Sequence, residues 1–215
     1  WIAVAGGSGE INITTGAGND AIDVTTGTLE AVTGGTGGAK ITAGLGADTI
    51  TSTHVNGGTT GNFSYVIADG DSLAASRDKI TGFDIGAGGT LFSDTLDLDA
   101  VGIQANGVTD GTNSGTIKSH SITGGLATFD DVDTFAAAVT VNSANLSDVL
   151  AYLDTNITGG TSTVMFGYDS NNSGAVDSTI VFQDGTLNTV VELVSVVGVT
   201  LNATNANTAG LIDLG

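Results

Sequence analysis

Gly6–Thr14 (GGSGEINIT), Thr15–Asp23 (TGAGNDAID), Thr25–Thr33 (TTGTLEAVT), Gly34–Thr42 (GGTGGAKIT) and Ala43–Thr51 (AGLGADTIT) are five nine-residue segments in one register, with Val24 alone outside it. Position eight reads Ile13, Ile22, Val32, Ile41 and Ile50. One aliphatic residue per segment, set between Gly-rich corners, predicts a short strand that ends in a turn, over and over. No helix has this period, and Gly in a helix interior costs about 1 kcal/mol relative to Ala. A Gly/Thr-rich linker is the competing interpretation, but flexible linkers keep no aliphatic register.

Composition narrows the class. At 215 residues the chain holds one large domain or two small ones, enough to bury a core. Four Lys+Arg face 23 Asp+Glu, a net charge of −19. Only Glu10, Glu30 and Glu192 are Glu; the other 20 acids are Asp, the short carboxylate suited to turns and tight oxygen cages. With 40% hydrophobic residues, this is not the make-up of a disordered acidic tail. A folded domain this acidic repels nucleic acid and anionic membranes, and bound divalent cations would relieve its self-repulsion. Cys is absent, which excludes disulfides and thiolate metal sites. The chain begins at Trp1 rather than Met and is read as part of something longer. It has no Arg-rich leader and no apolar run of about 18 residues, so no membrane span is expected.

The segments resemble the RTX nonapeptide G-G-x-G-x-D-x-U-x, where U is a large aliphatic. Gly16-Ala17-Gly18-Asn19-Asp20-Ala21-Ile22 and Gly44-Leu45-Gly46-Ala47-Asp48-Thr49-Ile50 match it from the second position on. In the other three segments position six holds Ile11, Glu30 and Ala39 instead of Asp. The resemblance implies a mainly β fold: a short parallel β-roll or β-helix that binds calcium at its corners. It also implies that two nonapeptides make one coil, so alternate corners share an edge. Asp20 would then sit with the corner carrying Ala39, and Glu30 with Asp48. The resemblance carries calcium onto Asp20 and Asp48, whereas Glu30 follows from register alone. Solvated turn acids are the alternative.

Beyond Thr51 the pattern dissolves. Asn56-Gly57-Gly58 and Thr60-Gly61-Asn62 read as turns and Phe63–Ala68 as a strand. Asp78-Lys79-Ile80-Thr81-Gly82-Phe83-Asp84, followed by Asp94-Thr95-Leu96-Asp97-Leu98, looks like the segment that caps RTX repeats. Asp130 is expected to cap a short helix with Val132, Phe135, Ala136 and Val139 on one face. Ser143 is expected to cap a second, with Leu146, Val149, Leu150, Leu153 and Ile157 at helical spacing. Val164–Tyr168, Thr179–Gln183, Val190–Val197 and Val199–Leu201 read as strands. Their order is similar to the C-terminal region of type I-secreted surface-layer proteins and RTX adhesins. The expected organisation is a degenerate roll over residues 1–68 and a capping and secretion-signal region over 69–215, with one or two short helices.

Three further clusters carry candidate ligands. Asp169–Asp177 (DSNNSGAVD) follows D-x-N-x-S-G-x-x-D, close to the first nine positions of an EF-hand loop. Its oxygens come from Asp169, Asn171, Ser173 and Asp177, with Gly174 at the sharp turn. Ile180 replaces the bidentate Glu that closes such a loop, and a plain hairpin explains the stretch equally well. Asp69, Asp71 and Asp78 form another cluster, which is otherwise solvated, with Arg77 and Lys79 neutralising Asp78. Asp94, Asp97 and Asp99 are the last, read as solvated.

Catalysis finds no foothold. The two His, His54 and His120, lie in polar stretches read as loops. There is no H-E-x-x-H, no G-x-S-x-G and no phosphate loop. The expectation is a non-catalytic calcium-binding C-terminal module of a secreted surface-layer-like protein at the bacterial cell surface. Its partners would be the type I secretion machinery and further copies of itself in a surface lattice, and not nucleic acid. The tail Gly210–Gly215 is similar to an uncleaved type I address. The tail of an RTX protease or lipase, or of an adhesin, is the alternative, since a roll and an address serve all of them.

Overall fold

The computed structural model describes residues 11–24, 39–52, 63–85, 94–98, 102–104, 106–157, 162–199, 201 and 211–214. The fold is mainly β, with fifteen strands and one helix among the described residues. Seven short strands come first: β1 (Ile11–Thr14), β2 (Ala21–Val24), β3 (Ala39–Thr42), β4 (Thr49–Ser52), β5 (Phe63–Ile67), β6 (Asp78–Thr81) and β7 (Thr95–Leu98). They alternate between two sheets. β1, β3, β5 and β7 pair in parallel in one, and β2, β4 and β6 pair in parallel in the other.

The aliphatic residues at position eight explain the arrangement. Ile13, Ile41, Tyr65 and Leu96 stand side by side across the first sheet. Ile22, Ile50 and Ile80 do the same across the second. All but Ile13 are buried, and together they form the core between the sheets. Period-two alternation points these residues inward, and each fully buried aliphatic side chain stabilises the fold by about 1.5–3 kcal/mol relative to exposure.

Downstream come β8 (Gly102–Ile103), β9 (Gly107–Ser114), β10 (Ile117–Thr123), β11 (Leu126–Asp130), helix α1 (Leu146–Asn156), β12 (Ser162–Tyr168), β13 (Ser178–Gln183), β14 (Thr189–Val194) and β15 (Leu211–Asp213). β15 runs antiparallel to β7 and ends the five-stranded sheet. β14 lies parallel to β6, so the second sheet grows to ten strands in the order β2-β4-β6-β14-β13-β12-β11-β10-β9, with β8 beside β12. This sheet joins β2 and β4, which precede residue 68, to strands that follow it. β13 is buried along its whole length because both faces are covered. Val181, Val191 and Leu193 join the core between the sheets, and Ile180, Phe182 and Val190 join a second core with Phe129, Phe166 and residues Val149 and Leu153 of α1.

Several sequence expectations are corrected here. No helix follows Asp130: residues 131–140 are bends and irregular chain. The Asp130 carboxylate instead accepts the N–H groups of Asp131, Ala136 and Ala137, which closes a loop wider than a helical turn. The second helix exists, but Asn145 rather than Ser143 stands at its N-cap, and the Ser143 hydroxyl bonds to Asn172. β14 stops at Val194 because Ser195 takes a left-handed conformation, φ 64°. Of the stretch read as a strand from Val199 to Leu201, Val199 lies in no strand, Leu201 makes an isolated bridge to Leu214, and Thr200 lies outside the described residues. His120 is no loop residue. It lies in β10, 5% exposed, with Nδ1 3.0 Å from the Tyr152 hydroxyl, and burial lowers its pKa. His54 lies outside the described residues.

Candidate functional site: a stack of acidic corners

The turns that lead into β2, β4 and β6 lie one above another. Gly18 N–H bonds to Leu45 O at 2.8 Å, and Gly46 N–H bonds to Asp71 O at 3.2 Å in the layer beyond. The two segments that best fit the nonapeptide are therefore adjacent layers, Gly16 against Gly44 and Gly18 against Gly46. Gly46 has φ +144°, and a Cβ there would run into the main-chain carbonyl of Gly18. Only Gly permits the two backbones to approach this closely. In the third layer Asp71 takes the place of Leu45, and Ser72 stands where Gly46 stood.

This layering replaces the pairing expected from two nonapeptides per coil. Asp20 faces Asp48, 28 residues on, and Asp48 faces Asp78, 30 residues on. Ala39 does not share the corner of Asp20; it pairs with Ile11 in the other sheet. Glu30 lies outside the described residues. The three Asp form a line. The N–H of Asp20 donates to Asp48 Oδ1 at 2.6 Å, and the N–H of Asp48 donates to Asp78 Oδ1 at 2.9 Å. The N–H of Asp78 in turn donates to the Ser72 hydroxyl at 2.7 Å.

One oxygen of each carboxylate is left over. Oδ2 of Asp20, of Asp48 and of Asp78 is buried and has no hydrogen-bond partner. Asp48 is 1% exposed and Asp78 is 0% exposed. A buried carboxylate oxygen without a partner carries the full desolvation penalty of its group. Burial raises the pKa of Asp48, and the charges of Asp20 and Asp71 push the same way. Burial pushes Asp78 up to about 7, with the charges of Asp48 and Asp71 adding to it. Arg77 and Lys79 do not neutralise Asp78. Both turn to Glu192, with Arg77 Nε at 2.8 Å and Lys79 Nζ at 3.5 Å. Nor is Asp78 solvated, as its sequence context had suggested.

The donor set fits a hard cation. Only oxygen is present, three unpartnered carboxylate oxygens are in line, and Gly-rich turns can add carbonyls. Among the described residues no three or more His, Cys, Asp or Glu converge as a metal-holding group, since the Asp come one per layer rather than around a point. The remaining oxygens of a calcium shell would have to come from the main chain.

The other candidate ligands are occupied within the protein. Asp69 Oδ1 accepts the N–H of Leu187 at 3.1 Å, and Asp71 Oδ2 accepts the N–H of Ala68 at 3.2 Å. The loop from Asp169 to Asp177 joins β12 to β13. Asp169, fully buried, accepts the N–H groups of Ser173 and Gly174, at 2.9 and 2.7 Å. Asn171 Oδ1 also accepts the Ser173 N–H, and the Ser173 hydroxyl accepts the Ala175 N–H. Asp177 Oδ1 accepts the N–H of Ser170 at 2.9 Å, the largest cause of its lowered pKa. Asp94 is buried rather than solvated. Its two oxygens take the N–H groups of Phe63 and Asp84. Asp97 pairs with Lys40 at 3.4 Å, and Asp99 lies outside the described residues.

Sequence reasoning missed Ser72, which anchors the end of the line. Its only signal is that Gly70-Asp71-Ser72 preserves the spacing of Gly44-Leu45-Gly46 with one glycine changed. No described helix is long and apolar enough to cross a membrane. Compared with protein-family models, with curated proteins and with solved structures, the chain matches none.

Proposed function

We propose that this chain is a non-catalytic calcium-binding module of a secreted, surface-layer-like bacterial protein, built on a short RTX-type β-roll. The observation that carries the proposal is the line of buried, unpartnered Oδ2 atoms of Asp20, Asp48 and Asp78. A divalent cation at these corners would supply the missing partners and cancel the mutual repulsion of the acids. Its binding free energy would then be folding free energy. In the cytosol, where free calcium is scarce, the corners repel and the chain stays loose enough for export. Outside the cell, calcium orders it. The C-terminal region would carry the address for type I secretion machinery, and the folded module would join a surface lattice.

Calorimetric titration of calcium, paired with thermal melting by circular dichroism, tests the proposal. We expect binding, and a melting temperature that rises with calcium. At a free concentration of about 100 times Kd, one site adds roughly 2.7 kcal/mol. Flat titration, with equal cooperative melting in calcium and in chelator, would overturn it.

A further inference from the structure

The line of Asp does not end at the corners. It continues into the C-terminal sheet through four hydrogen bonds that all run in one direction. Asp20 N–H donates to Asp48, Asp48 N–H to Asp78, Asp78 N–H to the Ser72 hydroxyl, and the Ser72 hydroxyl to Val190 O at 2.6 Å. Val190 N–H returns a bond of 2.9 Å to Ser72 O, so Ser72 grips one residue of β14 from both sides, as a neighbouring strand would. Ser72 is 0% exposed, so water does not compete for these bonds. At Ser72 one hydroxyl accepts from Asp78 N–H and donates to Val190 O, and a hydroxyl that does both polarises and strengthens the two bonds.

The surroundings make the contact stiff. Asp78 lies opposite Val191 where β6 pairs with β14. Glu192, beside it, is held by Arg77 and Lys79. Asp69 holds the turn before β14 through Leu187 N–H. Any cation that repositions the Asp78 carboxylate therefore acts on a residue whose own N–H is fixed by the clamp on β14.

We infer that Ser72 couples cation binding at the acidic corners to the stability of the C-terminal sheet, and that docking of β14 in turn raises the affinity of the corners for calcium. The inference rests on the calcium-binding function proposed above. Ser72 is a positioning residue: it offers the cation no ligand and sets where Asp78 stands. Coupling of this kind is reciprocal: the factor by which docked β14 raises calcium affinity is the factor by which bound calcium favours docked β14.

The test uses the full chain, calcium alone as the ligand, and the Ser72→Ala variant. Calorimetry gives affinity and stoichiometry. Amide hydrogen exchange over Thr189–Val194 is measured with calcium and with chelator. We expect calcium to slow exchange of β14 in the unaltered protein. Ser72→Ala should bind the same number of ions about fivefold more weakly or worse, the lower end of typical coupling between sites, and its calcium-dependent slowing should shrink by a similar factor. If Ser72→Ala does not fold even in calcium, Ser72→Cys, which keeps the volume but bonds weakly, is read in the same way. Two results would overturn the coupling while leaving calcium binding intact: slowing in the variant equal to that in the unaltered protein, or β14 exchange indifferent to bound calcium in the unaltered protein. Absence of calcium binding by the unaltered protein would overturn both the function and the coupling.

Discussion

The corner stack and the β12–β13 loop are both rich in Asp, and they treat their carboxylates in opposite ways. Asp169 is as buried as Asp78, yet both of its oxygens accept main-chain N–H groups from its own loop. Asp78 keeps one oxygen for the Asp48 N–H and leaves the other without a partner. The loop supplies its own donors because Asn172 and Gly174 adopt positive φ and so turn successive N–H groups toward the acid. The corners cannot do this. In the first two layers the N–H groups of Gly18, Asp20, Gly46 and Asp48 are committed to the next layer. An acidic loop that folds back on itself is complete. An acidic stack bonded only to its own next layer leaves one oxygen per layer for something else.

Three measurements can break or sharpen this contrast. The largest effect should come from Gly46→Ala against Gly174→Ala. At Gly46 the new methyl meets the Gly18 backbone, whereas at Gly174, φ +91°, nothing lies within 4 Å. We expect Gly46→Ala to lose roughly 3 kcal/mol or more, the scale of a severe overpacking, and Gly174→Ala roughly 1–2 kcal/mol from backbone strain alone. Denaturant unfolding in calcium would give both values, and equal losses would mean that the corners are not closely layered.

Next is Asp48→Ala against Asp177→Ala in calcium titration. Asp48 should cost about 1.5–3 kcal/mol of binding, the worth of one charge-assisted contact, or tenfold and more in affinity. Asp177, already bonded to Ser170, should leave affinity nearly unchanged. The reverse order would move the principal site to the β12–β13 loop.

The smallest effect is in pH, measured in chelator. Asp78 holds its proton up to about 7 in the folded chain, against an ordinary value of 3.8. Its contribution to stability is therefore fully present below 3.8 and is lost as pH rises through about 7. Asp177 has the opposite sign: its lowered pKa gives stability that is present above 3.8 and lost as pH falls below it. Relative to Asp78→Asn, the unaltered protein should gain on the order of 1 kcal/mol in going from about pH 7 to pH 5. Relative to Asp177→Asn it should show no such gain in that range. A flat difference for Asp78→Asn would show that the carboxylate is not under the strain described.

The sequence made the strands legible and left the stacking hidden. Position eight named Ile22, Ile41 and Ile50, and all three are buried at strand positions. An aliphatic period reports which residues point inward. It does not report how much chain passes before a corner returns to the same edge. Hence Asp20 and Asp48 stand out in the sequence as candidate ligands, while their neighbours in the stack do not. The β9–β10–β11 meander escaped for another reason. β9 (GVTDGTNS) has one aliphatic residue and is largely exposed. It is held partly by polar contacts to α1: the Asn156 side chain bonds both N–H and C=O of Thr112, and Asp148 accepts the N–H of Thr116 in the turn that follows β9. Hydrophobic patterning cannot see such an attachment. Asp130 misled through its chemistry: the same acceptor that would cap a helix closes a wider loop when its donors are Ala136 and Ala137.

The clamp of β6 onto β14 also bears on the timing of folding. Ser72 finds its partner 118 residues further along the chain, and Arg77 finds Glu192 after 115. Contacts this distant in sequence require a large loop to close before they give anything back, which makes them late and slow events. A chain emerging from a ribosome or threading through a pore in either direction holds only one half of each such pair for most of its passage. The ten-stranded sheet therefore cannot complete itself until the whole stretch from β2 to β14 is on the same side.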